Sequence, residues 1–249
     1  MFPIGDQNEP GRRRAPITLV IILLNFAVFI LLQLPESNAD RQPFTYGFST
    51  IPYEITHGVD LVRPAQVTIG GETGLIDEAP GPRPIQLTLL TSTFMHGGWV
   101  HILGNMWFLW IFGDNVERRL GSARYLLFYL AAGVVASLAQ IWANPNSVVP
   151  NLGASGAIAG VLGAYLALFP GNRVTVLIFT FIPFAVPALV AIGLWALLQF
   201  VNGFGQIAVT DETGGVAYLA HVGGFVFGFV GGILLRRNAS RDDRYARYR

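Results

Sequence analysis

The sequence predicts an all-α polytopic membrane protein, with six transmembrane helices and a long extracytoplasmic loop after the first. Three observations carry that reading. The 249 residues have a mean hydropathy of +0.49, with 52% hydrophobic and only 12% charged side chains, about half the ~25% charge of a soluble domain. The apolar residues gather into segments at 16–34, 101–113, 125–142, 155–169, 187–201 and 216–235. The 16 basic residues are all Arg, and they cluster on one side of those segments. This composition argues against disorder and against an ordinary soluble enzyme.

A bilayer-spanning helix needs ~20 apolar residues, with a range of ~17–25. Spans one, three and six qualify outright; spans two, four and five are short. Segment 173–186 is apolar but contains Pro183, with Pro187 just beyond. In isolation it could be a strand; beside the other spans it reads as a membrane-surface approach to the fifth helix.

Arg12, Arg13 and Arg14 precede span one, and Arg118, Arg119 and Arg124 lie between spans two and three. Arg173 follows span four, and Arg236, Arg237, Arg241, Arg244, Arg247 and Arg249 follow span six. Only Arg41, Arg63 and Arg83 fall in the long first loop. The positive-inside rule is then obeyed with both termini in the cytoplasm. The expected parts are a cytoplasmic segment 1–15, a membrane domain 16–236 and an Arg-rich cytoplasmic tail 237–249. Ser37 and Ala39 after span one give the start the look of a secretory signal. The apolar run 17–34 exceeds the usual ~7–15 residues, so it reads as an uncleaved helix.

The absence of cysteine excludes disulfides, thiolate zinc sites and a Cys nucleophile. A net charge of +1 gives no footprint for nucleic acid. Polar residues inside a span are functional candidates: His101 and Asn105 in span two, Ser155 opening span four, His221 early in span six, with His96 just before span two. No Asp or Glu falls within a span. Spans two, four and six run in the same direction, so these residues share the extracytoplasmic side at similar depth.

Span four is short: its residues rise about 22 Å against a ~30 Å hydrocarbon core. Ser155 is therefore expected below the outer surface, with 149–154 dipping in as non-helical backbone. Such backbone survives only inside protein or beside water, which implies a hydrated pit. His221, Gly224 and Gly228 share one face of span six, extended by Gly232, and span four carries Gly156-x-x-x-Gly160. Small faces of this kind let helices approach closely and would bring His221 to Ser155, the minimum for an activated nucleophile. His101 and Asn105, one turn apart, and the free N–H groups opening span four could serve a developing oxyanion.

Each residue also has a plainer reading. Ser155 could be a packing residue, Asn105 a hydrogen-bonding link between helices, and His96 a loop anchor. A metal site is disfavoured, because His96 and His101 diverge by ~140° around a helix and no His-Glu-x-x-His occurs. Asp114 and Glu117 lie at the cytoplasmic end, on the wrong side for an aspartyl protease. A transporter stays open. The residues alone do not decide whether His101 or His221 is the base.

The stretches His96-Gly-Gly-Trp-Val-His101-Ile-Leu-Gly-Asn105, Gly153-Ala-Ser155-Gly156 and Ala220-His221-x-x-Gly224-x-x-x-Gly228 resemble the signature set of rhomboid intramembrane serine proteases, as does the run from Val116 to Gly121. The likeness covers about 16–236 and implies a rhomboid-like six-helix core that cleaves other membrane proteins in or near their transmembrane segments. It implies Ser155 as nucleophile and His221 as general base, a dyad. His101 and Asn105, with the Ser155 N–H, would stabilise the oxyanion; His96, Gly153, Gly156, Gly224 and Gly228 would support them, and Glu117 and Arg119 would be packing residues. The implied partners are transmembrane protein substrates and the lipid bilayer, with no nucleic acid, metal or cofactor. The implied location is a bacterial inner (plasma) membrane, with the site opening to the extracytoplasmic side.

Two departures stand out. Ala159 replaces the aromatic residue that some members stack on the catalytic His, which leaves Tyr218 to orient the ring. No Trp lies between Pro35 and Gly98, where some members carry a Trp-Arg pair in the first loop. Lateral entry past span five is expected, with Gly193, Gly203 and Gly205 as moving parts. The rival functions are a non-proteolytic relative that binds membrane proteins and a transporter.

Overall fold

The structure, a computed structural model, describes residues 2–7, 14–36, 42–69, 72–178, 182–208 and 217–246. Arg12, Arg13, Ser37, Ala39 and Arg41 lie outside the described residues, as do the side chains of the tail 237–249. Strand β1 (Phe2–Asp6) precedes α1 (Pro16–Val28), which continues as a π segment (Phe29–Gln33) and a 3-10 turn (Leu34–Glu36). The long loop holds α2 (Pro43–Gly47), α3 (Pro52–His57), the hairpin β2 (Ala65–Ile69) and β3 (Glu72–Ile76), and α4 (Thr88–Thr91). Then come α5 (Trp99–Leu120), α6 (Ser122–Ala143), α7 (Ser155–Leu168), β4 (Arg173–Ile178), β5 (Ile182–Pro187), α8 (Ala188–Ala208) and α9 (Tyr218–Ala246).

The chain is mostly helical, but the all-α expectation needs correcting. Residues 173–178 and 182–187 pair as antiparallel strands rather than forming an irregular approach, and β1 joins them in an antiparallel sheet of order β1-β4-β5. Val174 and Val176 of β4 are buried while Thr175 between them is half-buried, the period of a strand. The prolines that argued against a strand sit in β5, which is an edge, where a missing N–H is tolerated.

By length and composition, Pro16–Glu36, Ser122–Ala143 and Tyr218–Arg236 are suited to cross a membrane, while Ser155–Leu168 and Ala188–Gly203 are shorter apolar helices. Their outward faces are apolar: Leu31, Leu127 and Trp142 are exposed. Polar Asn25, Gln33, Asn115 and Glu117 are buried. That inversion suits a hydrocarbon surround, where polar groups must find partners inside.

Helix α7 forms the centre, with every residue from 156 to 167 buried. It meets α9 backbone to backbone. A Cβ added to Gly224 would run into the Gly156 carbonyl oxygen, one on Gly228 into that of Gly160, and one on Gly163 into that of Phe225. Helix α6 presses from the side, where Cβ atoms on Gly156 and Gly160 would fall 2.6 Å from Ala136 Cβ and 2.5 Å from Ala132 Cβ. The small-residue stripes are thus the contact itself.

Glu117 ties the bottom of α5 to the start of α1. Its carboxylate accepts the backbone N–H groups of Ile17 (2.9 Å) and Thr18 (2.7 Å) and the hydroxyls of Thr18 (2.8 Å) and Ser122 (2.6 Å). Helix α1 has no side-chain cap of its own at Ala15, so this buried residue caps it from another helix. Arg119 is exposed beside it. Glu117→Ala leaves those buried donors without an acceptor, and a loss on the order of 3 kcal/mol is expected. Thermal unfolding in detergent measures it; an unchanged midpoint would count against the cap.

Strand β1 is held from several sides. The Trp107 indole N–H donates to the Pro3 carbonyl (2.7 Å), and Asn115 Nδ2 (2.7 Å) and the Tyr165 hydroxyl (2.6 Å) donate to Asp6. Burial raises the Asp6 carboxyl above its usual range, against the lowering by those hydrogen bonds.

Candidate active site

Between α6 and α7 the backbone is irregular, and the long loop satisfies it. Thr50 and Asn151 exchange N–H···O bonds of 2.9 and 2.8 Å, and Gly153 N–H donates to the Ser92 carbonyl at 2.9 Å. Non-helical backbone packed inside a protein requires such partners. Ser155 is the first residue of α7. The Ile158 N–H, bonded to the Ala154 carbonyl at 2.9 Å, begins the helical ladder, so the N–H groups of the first turn sit at the open, positive end of the helix.

His221 lies in the first turn of α9, where Gln140 Oε1 accepts the Ala220 N–H (3.3 Å). Its Nε2 is 2.8 Å from Ser155 Oγ, and its Nδ1 is 2.7 Å from Gln199 Oε1 on α8. With the Gln199 oxygen assigned to face the ring, where it can only accept, the tautomer is assigned with hydrogen on Nδ1 and with Nε2 accepting the serine hydroxyl hydrogen. Trp195, one turn before Gln199, packs its ring 6.0 Å from the imidazole with a 39° tilt, and Tyr218 stands edge-on at 6.5 Å.

Tyr218, expected to orient the ring, makes this edge contact, and the hydrogen-bond acceptor for Nδ1 is Gln199. Sequence reasoning missed Gln199 and Trp195. The signal was present: an amide in an apolar span, one turn from a Trp.

On the other side of Ser155 stands His101. Its Nδ1 accepts the Gly97 N–H at 3.3 Å, which leaves the hydrogen on Nε2. A Cβ on Gly153 would lie 2.8 Å from His101 Nε2 and 3.7 Å from Ser155 Oγ, so a side chain at this position would crowd both the ring and the hydroxyl. Gly153 also has φ +125°, strained for any other residue. Asn105, one turn along α5, is buried, and its Nδ2 has no acceptor among the described residues. An idle buried donor calls for an explanation.

His96 packs edge-on against His101 with centroids 5.1 Å apart. Burial, with a smaller contribution from His101, pushes its imidazole down to about 3, so it stays neutral. Gln33 grips the His96 backbone in both directions, accepting its N–H at 2.9 Å and donating to its carbonyl at 3.0 Å. Gly156, Gly224 and Gly228 lie in the α7–α9 contact below. Among the described residues, no group of three or more His, Cys, Asp or Glu could hold a metal ion.

Residues 85–238 match the Rhomboid domain family model. The chain is 37% identical over 142 residues to "Rhomboid protease GluP" of Bacillus subtilis, 57% of this chain and 24% of the relative. It is 32% identical over 153 residues to "Putative rhomboid protease YdcA" of the same organism, 59% of this chain and 64% of the relative. It is 30% identical over 151 residues to "Rhomboid protein 1, mitochondrial" of Saccharomyces cerevisiae, 59% of this chain and 41% of the relative. The match thus spans less than two thirds of each of these relatives. The matched stretch contains Ser155, His221, His101, Asn105 and their supports, and the chain belongs to the rhomboid family of integral membrane proteins.

Proposed function

We propose that this chain is an intramembrane serine endopeptidase that hydrolyses peptide bonds in or near transmembrane segments of other membrane proteins. The observation that carries the reading is the 2.8 Å contact between Ser155 Oγ and His221 Nε2 across the α7–α9 seam. The serine oxygen attacks the scissile carbonyl carbon while His221 takes its proton. The C–N bond then breaks, and His221 gives that proton to the leaving amine. Water, deprotonated by the same ring, releases the acyl group from Ser155.

The oxyanion is met by Asn105 Nδ2, the Nε2–H of His101 and the Ser155 N–H. The position of Asn105 supports this: it lies one turn from His101 on α5, and its Nδ2 has no protein acceptor among the described residues. Asn105→Ala is accordingly expected to lower kcat by ~10²–10³ with little change in KM. Steady-state cleavage of a quenched transmembrane peptide in liposomes tests it, and a change confined to KM would refute the role.

In this reading α1 and α5 to α9 are the six spans of a membrane domain at 16–236. The segment 1–15 and the tail 237–249 are cytoplasmic, and the pit opens outward from a bacterial inner membrane. Helical substrates hide their peptide bonds in backbone hydrogen bonds, so they must unwind near the outer boundary. By the family likeness, a small residue is favoured before the scissile bond, and entry is lateral, past α8. Fluorophosphonate labelling of wild type beside Ser155→Ala and His221→Ala is the test. Labelling confined to wild type is expected; equal labelling of all three ends the enzyme reading. Solute flux that survives Ser155→Ala would favour a transporter instead.

A further inference from the structure

A neutral imidazole exchanges its hydrogen between two ring nitrogens, and only one tautomer is a base toward Ser155. A Ser–His pair leaves that choice open, because nothing in the pair touches Nδ1. In this protein Nδ1 is occupied: Gln199 Oε1 lies 2.7 Å away. We propose that Gln199 is a positioning residue for His221, a neutral third member that holds hydrogen on Nδ1 and keeps Nε2 facing the serine. The proposal rests on the Ser155–His221 reading above.

The geometry makes this more than one contact. Trp195 and Gln199 lie one turn apart on α8, and His221 and Phe225 lie one turn apart on α9. Trp195 packs against both His221 (6.0 Å) and Phe225 (6.2 Å). The amide is thus presented from a helix face seated on the helix it orients. When His221 takes the serine proton it becomes an imidazolium, and the Nδ1–H···O bond becomes charge-assisted. A carboxylate there would hold the cation more tightly, but a buried charge is expensive inside a membrane. An amide oxygen does the orienting without it. Among the described residues, the titratable groups around the ring are His101 from α5 and Tyr218 on α9 itself.

It follows that the base depends on where α8 sits. If α8 swings aside, Nδ1 loses its acceptor and the ring its tautomer.

The test uses the full chain in detergent micelles, with a fluorophosphonate probe for the Ser155 labelling rate across pH. Long-range 1H–15N spectra of the His221 ring report its tautomer directly. Gln199→Leu is expected to slow labelling by roughly 10–100-fold, the effect of losing a hydrogen bond to a charged group. Its His221 nitrogens should move from a pure Nδ1–H pattern toward a mixture. Gln199→Glu keeps an acceptor at the same place. It should return the rate to within a few-fold and move the acid limb of the pH profile upward, since a carboxylate stabilises the imidazolium.

A merely structural Gln199 would make Leu and Glu equally slow and leave the ring nitrogens unchanged, and that result overturns the proposal. So does a Gln199→Leu protein that labels at the wild-type rate while labelling still requires Ser155; only the positioning role then fails. If Ser155→Ala labels as fast as wild type, the nucleophile reading fails and this one with it.

Discussion

Ser155→Ala is expected to reduce cleavage of a transmembrane peptide by at least about 10⁴-fold, and His221→Ala by a similar factor. The double variant should be no worse than either single one, because nucleophile and base act as a unit. Ser155 opens α7 with its oxygen already 2.8 Å from the imidazole, so removing the hydroxyl removes the reaction rather than the fold. His221→Ala leaves the hydroxyl in place without a base, and Gln199 without a donor to accept from. What remains is binding and the oxyanion donors, which alone give roughly 10³–10⁴-fold over water, far below the full enzyme. Mass-spectrometric product counts from liposomes measure this. Either single variant retaining more than ~1% of wild-type turnover would contradict a serine mechanism.

Gly228→Leu is expected to give the largest loss of stability. The clash at this position is with the Gly160 carbonyl oxygen, which is backbone within the most buried helix and cannot rotate away. Relief requires α7 and α9 to separate. Overpacking by a few methylenes typically costs ~1–3 kcal/mol; separating two backbones should cost on the order of 4 kcal/mol or more. The same separation pulls His221 from Ser155, so labelling should fall together with the unfolding midpoint. Gly193→Ala is the control, because nothing lies within 4 Å of a Cβ there. A Gly228→Leu protein that unfolds where Gly193→Ala does would refute the seam.

Ser155, His221, His101 and Asn105 stood out because polar side chains are conspicuous in apolar segments; the structure brings Ser155 Oγ within 2.8 Å of His221 Nε2, and the roles of all four belong to the proposal. Span four was also legible: its expected start at Ser155 is the start of α7, and its end lies within a residue. Gln199 stood out less because it is not ionisable and lies well inside α8 rather than at the start of a span. Span two was drawn too short. Asp114, Glu117, Arg118 and Arg119 lower the hydropathy of its last turns, but α5 continues through them because Glu117 and Asn115 are satisfied inside the protein. The β1-β4-β5 sheet was not legible as a sheet: segment 173–186 admits a strand by itself, but its pairing with β1, far earlier in the sequence, leaves no local signal.

That sheet imposes an order on assembly. Asp6 meets the Tyr165 hydroxyl 159 positions downstream, and β1 pairs with a strand made later still. Strand β1 precedes the helices it docks on, and the strands it joins lie after α7. It cannot complete its sheet until those strands have been made. Its docking therefore belongs to the later folding events, a long-range closure of the kind that is intrinsically slow.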